Sequence, residues 1–149
     1  METAFTELVG CRHPVQQAAM VGAAVPELAG AVARAGALGM LGEFDAVESA
    51  ADRMTRALDL AGGGAVGMGF FGDAVGADLG NFEAAAARLR VVEVFWTDPD
   101  AALVQRSRRA GPALVAWQVG TVDGALAAAD AGCDFVIVQE RRIRTGRRA

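Results

Sequence analysis

The chain has 149 residues, 53% of them hydrophobic, and a formal net charge of −4 at pH 7. This length and apolar content predict one domain, or part of a larger one, with a substantial core. The acidic balance argues against a nucleic-acid partner. The absence of a long apolar segment argues against a membrane span, and the acidic N-terminus is unlike a signal peptide, so we expect a cytoplasmic protein.

Short apolar segments alternate with segments of helical periodicity along the chain. Six segments predict strands: residues 13–17, which have fewer apolar side chains and begin with His-Pro, and residues 37–41, 65–71, 91–95, 113–117 and 135–138. Apolar segments without polar alternation are typical of strands buried on both faces, as in parallel sheets covered by helices. Gly36, Gly111 and Gly132 each end a helical segment just before a strand, which predicts a left-handed helix cap at each position.

The intervening segments carry signals for helix starts. The capping and first-turn residues are Pro26, Asp45, Asp98 with Pro99, and Thr121. Leu28, Val32 and Ala35 would share the buried face of the first of these helices. Residues 73–81, with two glycines, show no clear pattern, and residues 82–89 predict a short helix.

Strands that alternate with helices indicate a parallel sheet with right-handed crossovers, so the predicted fold class is α/β. A TIM (β/α)8 barrel takes about 250 residues, whereas this chain offers about six parallel βα strands. Residues 1–139 therefore predict an incomplete TIM barrel, and an open doubly wound parallel sheet is the alternative.

A glycine pattern in the third predicted strand matches G-x-G-x-x-G, with Gly67, Gly69 and Gly72 at the glycine positions and Glu93 about 20 residues further on. In a dinucleotide-binding domain this motif opens a well-formed helix. Here a stretch studded with glycines follows. We therefore favour a Gly-rich strand, along which a flat ligand would lie close to the backbone.

Three amide side chains stand at the carboxyl ends of predicted strands: Gln17, Gln118 and Gln139. Parallel strands end at a common edge, where ligands bind in this fold class. Each amide both donates and accepts, so the three would suit a planar hydrogen-bonding ligand such as a flavin, with simple capping of strand ends as the alternative. Trp117 and Met20 would either line that pocket or belong to the core.

The single histidine, His13, precedes the first predicted strand and is expected at the surface of the opposite face. Neither a Ser–His or Cys–His pair at that edge nor a His-based metal site can be built from it, so no metal is predicted. Cys11 and Cys133 lack metal-ligand spacing and are expected to be free thiols.

Six segments carry a resemblance to one protein family, both in their residues and in their order along the chain. They are 13–20 (HPVQQAAM), 26–29 (PELA), 35–39 (AGALG), 66–70 (VGMGF), 117–122 (WQVGTV) and 129–139. Together they resemble the nitronate monooxygenase family, formerly called 2-nitropropane dioxygenases. The resemblance implies an FMN-binding TIM barrel that oxidises alkyl nitronates with O2 to carbonyl compounds and nitrite. The implied partners are a small nitronate or nitroalkane and O2.

The resemblance also implies which residues contact FMN: Ala18, Ala19, Met20, Gly69, Gln118 and Gln139. The contacts after the first strand and at Gly69 would be made by the backbone. Three alternatives remain open at this point. The first is a related flavin-dependent reductase of enoyl thioesters, the second is an inactive α/β fragment, and the third is a non-enzymatic module that forms a homodimer through its open edges.

The family pattern stops at Gln139. There the family continues with G-x-E-A-G-G-H-x-G, which carries its catalytic base, whereas residues 140–149 read ERRIRTGRRA, with five arginines and one glutamate. We therefore assign no catalytic residue and expect a chain truncated after the sixth strand and impaired in activity. We infer a shifted reading frame for this disordered basic tail, with a natural tail as the alternative.

Overall fold

The computed structural model describes residues 1–43, 49–75 and 79–139. Its elements alternate along the chain: α1 (Ala4–Val9), α2 (Pro26–Arg34), β1 (Gly39–Leu41), α3 (Ala50–Ala61), β2 (Val66–Phe71), α4 (Gly72–Val75), α5 (Leu79–Arg88), β3 (Val91–Phe95), α6 (Ala101–Ala110), β4 (Leu114–Val119), α7 (Val122–Ala131) and β5 (Phe135–Val138). Within this part of the chain the five strands form one parallel sheet that does not close on itself.

The order of the strands decides between the two predicted architectures. A doubly wound sheet reverses its strand order at a switch point. Here each strand pairs with its predecessor in the chain, from β1 to β5, as in a barrel. The α/β class and the incomplete barrel are therefore confirmed, and the doubly wound alternative is wrong.

Residues 13–17 do not form the regular strand that the sequence predicts, although they lie beside β1, where the first strand was expected. A single parallel bridge joins Gln16 to Leu38, beside β1. The backbone N–H of Val15 donates to the carbonyl of His13 at 2.8 Å, which turns the chain. Pro14 has no N–H to offer. These features remove the donors that a continuous ladder would need.

The sheet carries an apolar cluster on each face. The larger one packs under the helices, and the smaller one lies on the inner, barrel-facing side with Val9, Leu38, Met40, Val91 and Ala116 at its centre. Helix α1, which the sequence did not predict, covers the amino-terminal end of the inner face. The ring of Phe5 meets Phe135 of β5 edge-on at 5.7 Å, and Arg90 Nε donates to the carbonyl of Val9 at 2.7 Å.

Helix starts follow the predicted chemistry with some shifts in position. Thr121 caps α7 as predicted, accepting from the N–H of Gly124 at 3.0 Å. Asp100 caps α6 in place of the predicted Asp98, and Ser49 caps α3. The predicted cap Asp45 lies outside the described residues. The stretch at 73–81, for which the sequence shows no pattern, contains most of the further helix α4 and the start of α5, which begins three residues before the helix predicted at 82–89.

The three glycines before strands have two different roles. Gly36 and Gly132 adopt positive φ angles of 95° and 90°, as a left-handed cap requires. Gly111 is extended, with φ 179°, so the predicted left-handed cap is wrong there. A Cβ at Gly111 would lie 2.4 Å from the carbonyl oxygen of Ala86, so this glycine allows a close approach of two backbones.

Candidate functional site

An open cleft of about 800 Å³ lies at the carboxyl ends of β3, β4 and β5. Residues 96–99 after β3, residues 118–121 at the end of β4, Gly124 of α7 and Gln139 after β5 line it. The cleft is therefore built from the segments that follow three neighbouring parallel strands, which is where barrel enzymes place their ligands.

Gln118 and Gln139, two of the predicted ligand-binding amides, line this one cleft. Gln118 pairs in register with Ile137, two residues before Gln139, and both amides extend the inner-face alternation of their strands. Gln118 is half-buried and Gln139 is exposed. Neither amide group hydrogen-bonds to another described side chain or backbone group, so both are available to a ligand.

Trp96 forms an aromatic wall of the cleft that the sequence analysis missed. Its ring is 65% exposed and contacts the rings of Phe71 and Phe95 at centroid distances of 5.0 and 5.8 Å. Its φ of 62° lies in the left-handed region, which a bulky residue rarely adopts. Such strain often accompanies functional edges. The available signal was an aromatic residue directly after the predicted strand at 91–95.

The other predicted contacts form a second group at the carboxyl ends of β1 and β2. A Cβ built on Gly69 would lie 2.4 Å from the Cβ of Ala19, and one on Gly42 would lie 2.7 Å from the carbonyl oxygen of Met20. Ala18 and Met20 are exposed. Residues 18–20, here called the edge loop, thus pack over these strand ends, and neither they nor Gly69 line the cleft.

Gln17, the third amide, has a structural role. The N–H of Met40 donates to Gln17 Oε1 at 3.1 Å, and Gln17 Nε2 donates to the carbonyl of Met40 at 3.0 Å. Gln17 Nε2 also donates to the carbonyl of Ala18 at 2.6 Å. The side-chain amide thereby replaces the peptide group that a regular strand would pair with β1, and it is not free for a ligand.

Glu93 is a buried carboxyl group on the inner face of β3, only 4% exposed. Its Oε2 accepts a hydrogen bond from Gln16 Nε2 at 2.9 Å. Burial raises the pKa of Glu93 from 4.5 to about 7, and the Gln16 hydrogen bond partly offsets this rise. In the sequence, Glu93 stands out only as the acidic residue about 20 positions after the apparent dinucleotide motif.

That motif is absent as a structural unit. Gly67 and Gly69 lie inside β2, and Gly72 begins only the four-residue α4, so the interpretation as a Gly-rich strand is confirmed.

Trp117 belongs to the core, where its Nε1 donates to the carbonyl of Thr97 at 3.0 Å. His13 is exposed, and its N–H donates to Gly36 at the amino-terminal end of the sheet.

Among residues 1–43, 49–75 and 79–139, no helix combines the length and apolar character that crossing a bilayer requires. Within the same ranges, no group of three or more His, Cys, Asp or Glu side chains is arranged to bind a metal ion.

Residues 2–61 match the family model of nitronate monooxygenase. Comparison with the curated proteins gives no match. FabK from Thermotoga maritima has a similar structure, with TM-score 0.76 and 24% identity over 93% of this chain and 44% of that chain. A nitroalkane oxidase from Streptomyces ansochromogenes has TM-score 0.72 and 26% identity over 92% of this chain and 48% of that chain.

These comparisons confirm the resemblance to nitronate monooxygenase in the first part of the chain and the barrel-type fold over nearly all of it. The chain spans less than half the length of the two similar structures. The matched family and the oxidase both bear names of oxidoreductases that act on nitro compounds.

Proposed function

We propose that the chain is a flavin-dependent oxidoreductase that binds FMN at the carboxyl edge of its sheet and oxidises alkyl nitronates with O2 to carbonyl compounds and nitrite. The main observation is that Gln118 and Gln139 line one cleft at that edge with no hydrogen-bond partner for their amides among the described residues. The match of residues 2–61 to nitronate monooxygenase supports the choice of reaction.

The described residues suit the ring system of a flavin. Its pyrimidine edge alternates donors and acceptors, which Gln118 and Gln139 can both satisfy. Trp96 offers an exposed aromatic face to a planar ring. The close packing of Ala19 on Gly69 brings the backbone of the edge loop to the same side of the sheet.

The flavin phosphate is less well accommodated by the described residues. The cleft lining includes Asp98 and contains no arginine, and the first turn of α7 already uses the N–H of Gly124 to bond Thr121. The proposal therefore depends on recognition of the ring, and FMN is chosen over other flavins on the resemblance alone.

A flavin bound there would supply the redox chemistry between the nitronate and O2. Gln118, Gln139 and Trp96 would hold the ring at the carboxyl edge of the sheet. A neutral nitroalkane would also need a base to remove its proton. His13 is at the far end of the sheet, so we propose that preformed nitronates are the substrates.

The experiment measures FMN binding by the purified chain and nitrite release from a preformed nitronate under air. Gln118→Leu and Gln139→Leu should each weaken FMN binding at least tenfold, because the apolar side chain leaves ring polar atoms unpaired. Gln105→Leu, on the exposed side of α6, is the matched control and should bind like wild type. Equal FMN affinity in all three variants would refute the assignment of the cleft.

The reductase of enoyl thioesters is the second function to test, since the same cleft and ring contacts would serve it. Consumption of NAD(P)H with an enoyl thioester, together with no nitrite from the nitronate, would assign that activity instead. No flavin binding at millimolar FMN would favour the inactive fragment.

A further inference from the structure

The edge loop is connected to the buried carboxyl of Glu93 through a short chain of contacts. Glu93 pairs in register with Gly69 of β2, and the missing side chain of Gly69 is what admits Ala19. Gln16, two residues before the edge loop, reaches across the inner face to Glu93. The Glu93 carboxyl group therefore contacts Gln16, which precedes the edge loop, and lies beside Gly69, on which the edge loop packs.

No charged group of the described residues compensates the Glu93 carboxylate, and burial outweighs the hydrogen bond that Gln16 donates to it. Its register partners, Gly69 and Ala116, are uncharged, and Gln16 is the polar group that contacts it. Cys11, the titratable side chain packed against the same inner cluster, donates its thiol to a backbone carbonyl. No described acid or base contributes to the behaviour of Glu93, and no described ion pair includes it.

We propose that Gln16 and Glu93 form a proton-controlled latch, which holds the edge loop on Gly69 while Glu93 is protonated and releases the loop when Glu93 ionises. Ligand affinity at this edge would then depend on pH, a consequence that rests on the proposed function.

The direction follows from the cost of burying a charge. Burial raises the pKa of Glu93 to about 7 in the closed form, so ionisation near neutral pH favours any form in which water reaches the carboxylate. Water can enter when Gln16 and Ala19 move away. Complete hydration would return the pKa from about 7 to 4.5, so opening can increase with pH by at most roughly 300-fold.

Amide hydrogen exchange reports on the latch without any ligand. The N–H of Gln17 bonds to Leu38 and that of Met40 bonds to the Gln17 side chain, so both become exchangeable when the loop lifts. After correction for intrinsic base catalysis, we expect opening at these amides to increase about five- to tenfold between pH 6 and 8, since complete hydration of Glu93 sets a ceiling of about tenfold over this range. In Glu93→Gln it should change less than twofold.

Two further variants complete the test. Gln16→Met removes the anchoring amide and should raise opening at every pH, whereas Glu7→Gln, on the exposed side of α1, should keep the wild-type profile. The same pH dependence in Glu93→Gln as in wild type, or none in wild type, would overturn the latch.

A measurement on the unmodified protein covers the case in which Glu93→Gln fails to fold. Carbon-13 NMR should show the Glu93 carboxyl and the Ala19 methyl titrating together near pH 7, and independent titrations would overturn the proposal. FMN affinity should fall over the same pH range. If exchange follows the latch but FMN never binds, the proposed function fails and the latch stands.

Discussion

Gly69 and Ala19 approach so closely that a Cβ on the glycine would lie 2.4 Å from the Cβ of the alanine. Gly69→Ala should therefore displace the edge loop and lower the free energy of unfolding by about 1–3 kcal/mol, as measured by urea denaturation. Ala19→Gly should be nearly neutral alone and should restore most of the loss in the double variant. Additive effects in this cycle would contradict the contact.

Glu93 predicts a pH-dependent stability with a defined sign. Because burial raises its folded-state pKa from 4.5 to about 7, the folded chain binds the proton more tightly than the unfolded chain. The stabilisation is complete below pH 4.5 and is lost as the pH rises through 7. At about 1.4 kcal/mol per pKa unit, Glu93→Gln should gain roughly 3 kcal/mol relative to wild type between pH 4 and pH 8.

Urea denaturation of both proteins across this pH range measures that gain. Glu83→Gln, a partly exposed carboxyl that pairs with Arg106, is the control and should show no comparable gain. A Glu93→Gln variant that parallels wild type at every pH would show that the carboxyl is hydrated in the folded protein.

The hydrogen bonds between the Gln17 side chain and Met40 of β1 should contribute to the stability of the fold. Gln17→Leu leaves the N–H and carbonyl of Met40 without their partner, so stability should fall by about 2 kcal/mol and exchange of the Met40 amide should accelerate. Gln105→Leu, at an exposed site on α6, should change stability by less than about 0.5 kcal/mol. Similar stability losses in the two variants would contradict the pairing.

The two tryptophans predict a clear difference in solvent access. Trp96 is 65% exposed and Trp117 is fully buried. Iodide should quench part of the wild-type fluorescence, and Trp96→Phe should abolish nearly all of this quenching while the protein remains folded. Emission that iodide still quenches in the variant would place Trp117, not Trp96, within reach of solvent.

The sequence alone determined where most of the chain forms strands. The predicted segments at 91–95 and 135–138 coincide with β3 and β5, because short, mainly apolar segments rich in β-branched residues favour strands of a sheet covered by helices. The expected burial on both faces holds for β3, whereas β5 is only partly buried. The same reasoning placed Gln118 and Gln139 at a common edge, since parallel strands end together.

Tertiary packing decided what local patterns leave open. The predicted buried face of α2 contained Leu28 and Val32, but the helix buries Ala29, Gly30 and Ala33. A Cβ on Gly30 would lie 2.4 Å from the Cβ of Leu60, so contact with α3 requires the small residues there. Periodicity identifies an apolar face, and only the neighbouring helix selects which residues meet it.

The roles of the polar groups also depended on contacts distant in sequence. Gln17 and Gln118 are equivalent in the sequence, yet one is occupied by β1 and the other faces a cleft. Glu93 meets Gln16 across 77 residues, and its burial follows from small partners on two other strands. Solvation and hydrogen bonding act through space, so these distinctions exist only once the sheet has assembled.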